Sequence, residues 1–412
     1  MKPLKKGDRV RITVDKVAFG GHGVGRLDNF VVFVPYAAEG DHLEIRIAET
    51  KKTYARGRIE KIATPSVQRT TPLCCYYGLC GGCHYQHIAY EHQLAIKQRQ
   101  VAESFERIAG FRSAPVREII PSGRRFGYRC KAEFHLNPAR GSRPAIGFMS
   151  AGGTRVVDIE RCEILEESIN RVFSKFRKAF LDGWPVSENA TRIFWAQPPS
   201  DLDDEVRTED AETGFGIPEY VTRNVLGRVL KVPYRGFFQA NTSLTGRLIE
   251  TVLEMSGLKE GETVLDCYCG SGLFSMFMAG RAGRVYGIET DPEAVYCALT
   301  NFKNSGIFNA SVFGGQVEDR VFQLTEKGIR PDIVLLDPPR TGCDSRALSG
   351  ILDLAPRKIV YVSCDPATQA RDVKFLTARG FKLDALQPVD MFPQTKHIEV
   401  IACLSRNGGP SL

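Results

Sequence analysis

The sequence predicts a chain of three parts: a small antiparallel β-barrel, a cysteine-rich and mostly β middle region, and a doubly wound parallel α/β domain. Three observations carry this expectation. At the front, the β-rich runs VRITV, FVVFV and LEIRI are separated by Gly/Asp clusters, the pattern of short barrel strands joined by tight turns. Cysteines then crowd into PLCCYYGLCGGC. From about residue 237, buried strand-like runs alternate with helix-like text: ETVLDCYCGSGLFSMFMA, RVYGIETD, ASVFGG, PDIVLLDPPR and KIVYVSCDP. That alternation describes parallel strands with helices on both faces of the sheet.

The parts are expected over residues 1–65, 66–236 and 237–412. With 412 residues, 43% hydrophobic and 25% charged, the chain has the composition of an ordinary globular protein of two or three domains. No apolar run approaches the ~18 residues of a membrane span, and the opening MKPLKKGDRV lacks a signal peptide's apolar stretch, so a cytoplasmic protein without a membrane role is expected. In a reducing compartment its 12 cysteines read as metal ligands, catalytic groups and small core residues rather than disulfides. An amphipathic helix is expected over 88–110, packing on the α/β domain, with Leu94, Val101, Phe105 and Ile108 on one face and Gly110 at its end. YRCKAEFHLN and AIGFMS read as irregular strands of the middle region. Charge is unevenly spread: residues 1–62 hold 13 Lys/Arg against 8 Asp/Glu, 112–155 hold 9 against 2, and 201–219 hold one Arg against 8 acids. The acidic segment is expected as a surface loop. The two basic stretches suit a surface that faces a polyanion, and small barrels commonly grip nucleic acid.

In an open parallel sheet, ligands bind beyond the carboxyl ends of the strands, and Asp266, Glu289, Asp337 and Cys364 all fall there. DCYCGSG is only loosely like a dinucleotide fingerprint. An aspartate closing the first strand suits S-adenosylmethionine (SAM) better, because its amino-acid part needs no pyrophosphate cradle. Glu289, 23 residues later, can accept both ribose hydroxyls. Tyr268 with Gly270 and Gly272 is placed against the methionine part, and Gln316 toward the adenine. LLDPPR resembles the Asp/Asn-Pro-Pro-aromatic motif that holds exocyclic amines, but Arg340 stands in place of the stacking ring and suits a phosphate or carboxylate better.

Cys364 ends the run KIVYVSC at this rim, where its chemistry meets a specific need of uracil. Carbon 5 of uracil is a poor nucleophile. A thiolate adding to carbon 6 turns the ring into an enolate whose carbon 5 can take a methyl group, and the thiolate then leaves readily. A base must remove the carbon-5 proton, and KHIEVIACL offers Glu399, with His397 given the same facing by strand alternation. Cys74, Cys80 and Cys83 follow C-x5-C-x2-C, and Cys162 in DIERCEIL is a distant fourth; on spacing alone, four thiolates suit a 4Fe-4S cluster and a structural zinc about equally. Cys75 is a spare, and Cys130, Cys267, Cys269, Cys297, Cys343 and Cys403 read as packing.

FFQAN (237–241), DCYCGSG, LLDPPR, SCDP and HIE, in this order, resemble the RNA 5-methyluridine methyltransferase family over residues 237–404. The front of the chain resembles a TRAM domain, an RNA-binding barrel. The resemblance implies SAM-dependent methylation of carbon 5 of a uridine in RNA, with Cys364 as nucleophile, Glu399 as base, and Gln239, Tyr268, Glu289 and Asp337 as SAM contacts. It also implies a 4Fe-4S cluster on Cys74, Cys80, Cys83 and Cys162, serving structure or RNA docking. Because the family's bacterial tRNA enzyme typically lacks both barrel and cluster, 23S rRNA is the expected substrate, and a monomer is expected. tRNA stays open, since archaeal relatives with a similar cysteine pattern act on it. A non-catalytic iron–sulfur protein of RNA binding or ribosome assembly also stays open, as does an amino-methyltransferase, which would leave Cys364 unexplained.

Overall fold

The computed structural model describes residues 4–28, 30–137, 143–183, 191–196 and 219–407. The acidic segment expected as a surface loop therefore lies outside the described residues, except for Glu219. Five strands, β1 (Arg9–Val17), β2 (His22–Leu27), β3 (Phe30–Pro35), β4 (His42–Thr50) and β5 (Tyr54–Thr64), close a barrel in the order β1-β2-β3-β5-β4. Every pairing in it is antiparallel except β3 with β5. Alternation drives the closure: Val14, Val32, Val34, Leu43, Ile45 and Ile47 face inward and are buried, while Arg9, Arg11, Arg46 and Arg58 alternate outward into solvent. Gly25 is required by the close strand approach, since a Cβ there would lie 2.5 Å from the Thr13 carbonyl oxygen.

An irregular cysteine-bearing loop leads to α1 (Tyr90–Ser104), which runs into a π turn, Phe105–Ala109, and stops at Gly110 in the left-handed conformation (φ +84°). The predicted apolar face holds only in part. Val101 and Phe105 are fully buried, but the π turn widens the helical repeat and leaves Ile108 36% exposed. Much of the buried face is polar instead, with Gln93, Lys97 and Gln100.

In the middle region β6 (Lys131–Asn137), β7 (Ala145–Met149), β8 (Val156–Asp158) and β9 (Thr191–Trp195) form an antiparallel sheet in the order β8-β7-β6-β9. The mostly β expectation missed α2 (Glu167–Leu181), whose Ile169, Val172, Phe173, Phe176 and Phe180 recur at helical spacing. This face packs on the sheet, with Phe173 stacked on Phe134 at 4.1 Å between ring centroids. A hairpin of β10 (Tyr220–Val225) and β11 (Arg228–Pro233) bridges toward the last part of the chain. Trp195 Nε1 donates to the Tyr234 carbonyl (2.7 Å), and the Lys231 N–H donates to Asn301 Oδ1 (2.7 Å).

The last part comprises α3 (Thr242–Ser256), β12 (Thr263–Cys267), α4 (Leu273–Met278), β13 (Arg284–Glu289), α5 (Pro292–Asn304), β14 (Ala310–Gly314), α6 (Val317–Glu326), β15 (Ile333–Leu336), α7 (Ser345–Asp353), β16 (Lys358–Ser363), α8 (Pro366–Thr377), β17 (Phe381–Val389) and β18 (Glu399–Arg406). Its seven strands run β14-β13-β12-β15-β16-β18-β17; the first five are parallel, and β18 is antiparallel to both β16 and β17. Helices α3, α4 and α5 neighbour one another, as do α6, α7 and α8, and α1 with its π turn packs on α8 and β17. The central strands are covered on both sides: Val264, Leu265 and all of β15 are buried, each side chain contributing about 1.5–3 kcal/mol by leaving water. None of the 12 cysteines is in a disulfide. Among the described residues no helix is long and apolar enough to cross a membrane.

Candidate active site

The carboxyl edge of the large sheet assembles the site. β12 carries Asp266 into full burial, where its Oδ2 accepts from the Ser275 N–H (3.0 Å) and hydroxyl (2.6 Å). Its Oδ1 is buried without a partner. Burial, reinforced by the Glu289 charge and partly offset by the Ser275 bonds, pushes this carboxyl up to about 7. The chain then turns sharply, with Tyr268, Gly270 and Gly272 at φ +64°, +54° and +81°. For Tyr268 the left-handed conformation costs about 1–3 kcal/mol, and its ring lines a cavity together with the buried Cys343. Gly272 cannot be replaced without movement, because a Cβ would lie 2.8 Å from the Phe302 ring.

Glu289, ending β13, reaches back to this turn. Its Oε2 accepts from the Gly270 N–H (2.9 Å), and Oε1 from the Thr290 and Asp291 N–H groups (2.7 and 2.8 Å). Asp337, just beyond β15, is pushed up to about 7 by burial and by the charge of Asp266. Carboxyls crowded this way resist ionising together and favour a cationic ligand. Gln316 stands at the start of α6 without a side-chain capping bond and lines, with Tyr268, Gly342 and Cys343, a cavity of about 810 Å³. Gln239 is buried in the loop between β11 and α3, where its carbonyl accepts from the Cys130 thiol (3.5 Å).

Cys364 stands between β16 and α8. Asp365 caps α8 by accepting from the Ala367 and Thr368 N–H groups (2.9 and 3.1 Å), and Pro366 fills its first turn, so Cys364 sits at the positive end of that helix. Burial and the Glu399 carboxyl push the thiol up to about 11, while the Arg340 guanidinium pulls it down. Glu399 opens β18 opposite Val389 and is 4% exposed. Burial and Asp337 hold it well above the usual carboxylate range, against the pull of Arg340. Cys364, Arg340, Asp337 and Glu399 thus form one electrostatic group. His397 departs from the expected arrangement. β18 begins at Glu399, so alternation does not reach back to it, and its ring instead meets Phe392 and His84 at 6.0 and 6.3 Å between centroids. Burial and Arg340 push its pKa down to about 3, which makes it a weak proton acceptor.

A second cavity, of about 470 Å³, is lined by Cys74, Cys80, Cys83 and Cys162 together with His84 and Lys396. Asn170 of α2 presents the distant thiol, its Oδ1 accepting from the Cys162 N–H (2.9 Å). Burial raises all four thiols, Cys83 to about 12, and neighbouring thiols add to the effect at Cys74, Cys83 and Cys162. Among the described residues, no three Cys, His, Asp or Glu side chains stand close enough to hold a single metal ion. Cys75 is exposed, and Cys130, Cys267, Cys269, Cys297, Cys343 and Cys403 are buried. Sequence reasoning missed Ser275, Cys343 and His84 as neighbours of the sites; Ser275, on the helix that follows the glycine turn, and His84, next to Cys83, had a local signal.

The sequence profile of the family described as tRNA (Uracil-5-)-methyltransferase matches residues 220–407, and that of the TRAM domain matches residues 3–59. An uncharacterized RNA methyltransferase of Clostridium acetobutylicum is 32% identical over 98% of each chain. The chain belongs to the RNA uracil-5-methyltransferase family. A second relative, an uncharacterized RNA methyltransferase of Halalkalibacterium halodurans, is 31% identical over 98% of each chain. In fold, this family member is similar to the Pyrococcus abyssi tRNA (uracil-54, C5)-methyltransferase solved with S-adenosyl-L-homocysteine, with a TM-score of 0.70 and 24% identity over 95% of this chain and 100% of that one. It is an RNA methyltransferase with a TRAM domain at its front.

Proposed function

We propose that this methyltransferase acts on carbon 5 of one uridine in 23S rRNA through a covalent bond between Cys364 and the uracil, in the cytoplasm and as a monomer. The observation that carries the reading is the electrostatic coupling of Cys364 with Arg340, Asp337 and the buried Glu399, which suits a nucleophile with a carboxyl base beside it. SAM fits the carboxyl edge beside them. The unpartnered Oδ1 of Asp266, with Glu289 and Asp337, suits a ligand bearing an ammonium, a sulfonium and ribose hydroxyls. Glu289 would hold the ribose, Tyr268, Gln239 and Asp337 the methionine part, and Gln316 the adenine. When bound, SAM supplies a methyl group carried on a sulfonium.

The remaining work belongs to the side chains. Burial raises the pKa of both Glu399 and Cys364, and both ionise more readily once a cationic ligand neutralises the carboxyl edge. Arg340 and the N-terminus of α8 favour the thiolate, which adds to carbon 6 and moves the double-bond pair toward carbon 5. Once carbon 5 carries its methyl group, Glu399 takes the carbon-5 proton. The C–H pair restores the double bond between carbons 5 and 6, and the bond from carbon 6 to sulfur breaks to return the thiolate. RNA carrying 5-fluorouridine tests this route, because fluorine cannot be removed as a proton would be. With SAM, 23S rRNA fragments are expected to give a protein–RNA species that survives denaturation. No adduct with any RNA overturns the covalent reading. tRNA is the second reading, favoured by the fold likeness to the Pyrococcus enzyme, and an adduct with tRNA alone would select it.

Four thiols ringing one cavity match the four cysteine ligands of a 4Fe-4S cluster. Cys83→Ser is expected to remove the brown visible absorbance of protein purified without oxygen and to lower its melting temperature. A colourless wild type containing one zinc per chain would overturn the cluster.

A further inference from the structure

The connection between β17 and β18, residues 390–398, delivers Glu399 to the cleft, and it is held mostly by groups outside the large sheet. Lys97 Nζ donates to Asp390 Oδ1 (2.6 Å) and to the Phe392 carbonyl (3.0 Å), and the Tyr90 hydroxyl donates to Asp390 Oδ2 (2.8 Å). The Tyr128 hydroxyl donates to the Pro393 carbonyl (3.0 Å). The N–H groups of His84 and Tyr85 both donate to the Gln394 carbonyl (2.9 Å each). Gln93 completes the set: its Oε1 accepts from the Gln394 N–H (3.1 Å) and its Nε2 donates to Gln394 Oε1 (3.0 Å), to the Tyr85 carbonyl (3.1 Å) and to the Ile88 carbonyl (2.8 Å). Lys97 and Asp390 have no exposed side-chain surface at all. A pair buried that deeply contributes little net stability for its desolvation cost, but it fixes geometry.

Apart from Tyr128, these donors come from the segment that also builds the cysteine-lined cavity. His84 follows Cys83 directly, its ring meets the His397 ring at 6.3 Å, and Lys396 of the connection lines the cavity beside the four thiols. We propose that residues 83–97 are a positioning element for the base: through His84, Tyr85, Gln93 and Lys97 they set the placement of residues 390–398, and hence of Glu399, with the cysteine-lined cavity as the anchor of that element. The proposal rests on the assignment of Glu399 as base. Cys364 hangs on β16 and α8, so its attack on carbon 6 does not depend on this suspension. Loss of the carbon-5 proton, with return of the C–H pair to the ring and departure of the sulfur, does depend on it. A base displaced by ~1 Å can cost up to about 100-fold in rate.

The test measures the two halves of the reaction separately. Full-length Gln93→Leu, Tyr90→Phe and Cys83→Ser proteins are mixed with SAM and an unmodified substrate RNA in a single turnover, and the covalent protein–RNA species is followed on denaturing gels. Its formation is expected to stay near the wild-type rate while its decay slows about 10- to 100-fold, so that it accumulates. Tyr90→Phe removes one hydroxyl that donates to Asp390 and keeps the ring, so it decides the matter if Gln93→Leu does not fold. Hydrogen exchange supplies a readout independent of turnover: Cys83→Ser should lose amide protection across residues 390–398. Unchanged decay and unchanged protection in folded variants would overturn the proposal, as would an equal fall in formation and decay. If Glu399→Gln accumulates the species and these variants do not, only the positioning role fails; if Glu399→Gln does not, the base assignment fails first.

Discussion

Cys364→Ala is expected to lower kcat by at least about 10⁴-fold, close to abolition, while leaving SAM affinity nearly unchanged. The size follows from the ring chemistry: without a thiolate on carbon 6, carbon 5 has no activated route to the methyl group, and a loss of that size corresponds to about 5 kcal/mol of barrier. SAM affinity is spared because the carboxyl edge that suits the cofactor lies on β12, β13 and β15, not on the thiol. The fold should also tolerate the change. Burial keeps the resting thiol neutral, with its pKa pushed up to about 11, so replacing it by a methyl group strands no charge, and the cap of α8 is made by Asp365 rather than by Cys364. Calorimetry with SAM and single-turnover methylation check both halves. Substantial residual turnover in a variant that binds SAM normally would remove Cys364 from the nucleophile's role.

What the sequence could reveal depends on how local each interaction is. The barrel strands and the sheet were legible because burial of alternate or consecutive residues is written directly as hydrophobic pattern, as in FVVFV and IVLL. The ends of those strands were legible for the same reason, which is why Asp266, Glu289, Asp337 and Cys364 could be placed at one edge. Helix α2 was hidden inside a region of strand-like text, because Ile, Val and Phe carry strand propensity even at helical spacing. The buried face of α1 was hidden differently. Gln93 and Lys97 look like solvent residues locally, and they are buried only because their partners Asp390 and Gln394 lie about 300 residues away. Cys162 as the fourth cavity thiol is equally non-local: its approach depends on the Asn170 bond and on the packing of α2, neither of which spacing encodes. His397 misled because alternation was extended two residues beyond the true start of β18.

Glu399→Gln is expected to stall the reaction after methyl transfer, so that a covalent protein–RNA species accumulates where wild type shows only free enzyme and product. The substitution keeps the shape and hydrogen-bonding capacity of the side chain and removes its ability to take a proton, a loss worth about 10²- to 10⁴-fold in the affected step. Its effect on the first half of the reaction has the opposite sign. The Glu399 charge is second only to burial in raising the Cys364 pKa, so a neutral glutamine lowers that pKa and favours the attacking thiolate. Attack is preserved or faster while release is slow, and the species between them builds up. Stability separates this outcome from simple damage. Because the folded protein raises the pKa of Glu399 above its unfolded value, this residue's contribution to stability is fully present below the unfolded pKa of about 4.3 and is lost as pH rises through the raised folded value. Glutamine has no such loss, so the variant should melt no lower than wild type at alkaline pH. Intact-mass spectrometry of a single-turnover mixture reads the covalent species directly. If a stable variant yields only free protein and methylated RNA at the wild-type rate, the carbon-5 proton goes elsewhere, and His397, weakly basic as its buried cationic surroundings make it, or water becomes the acceptor.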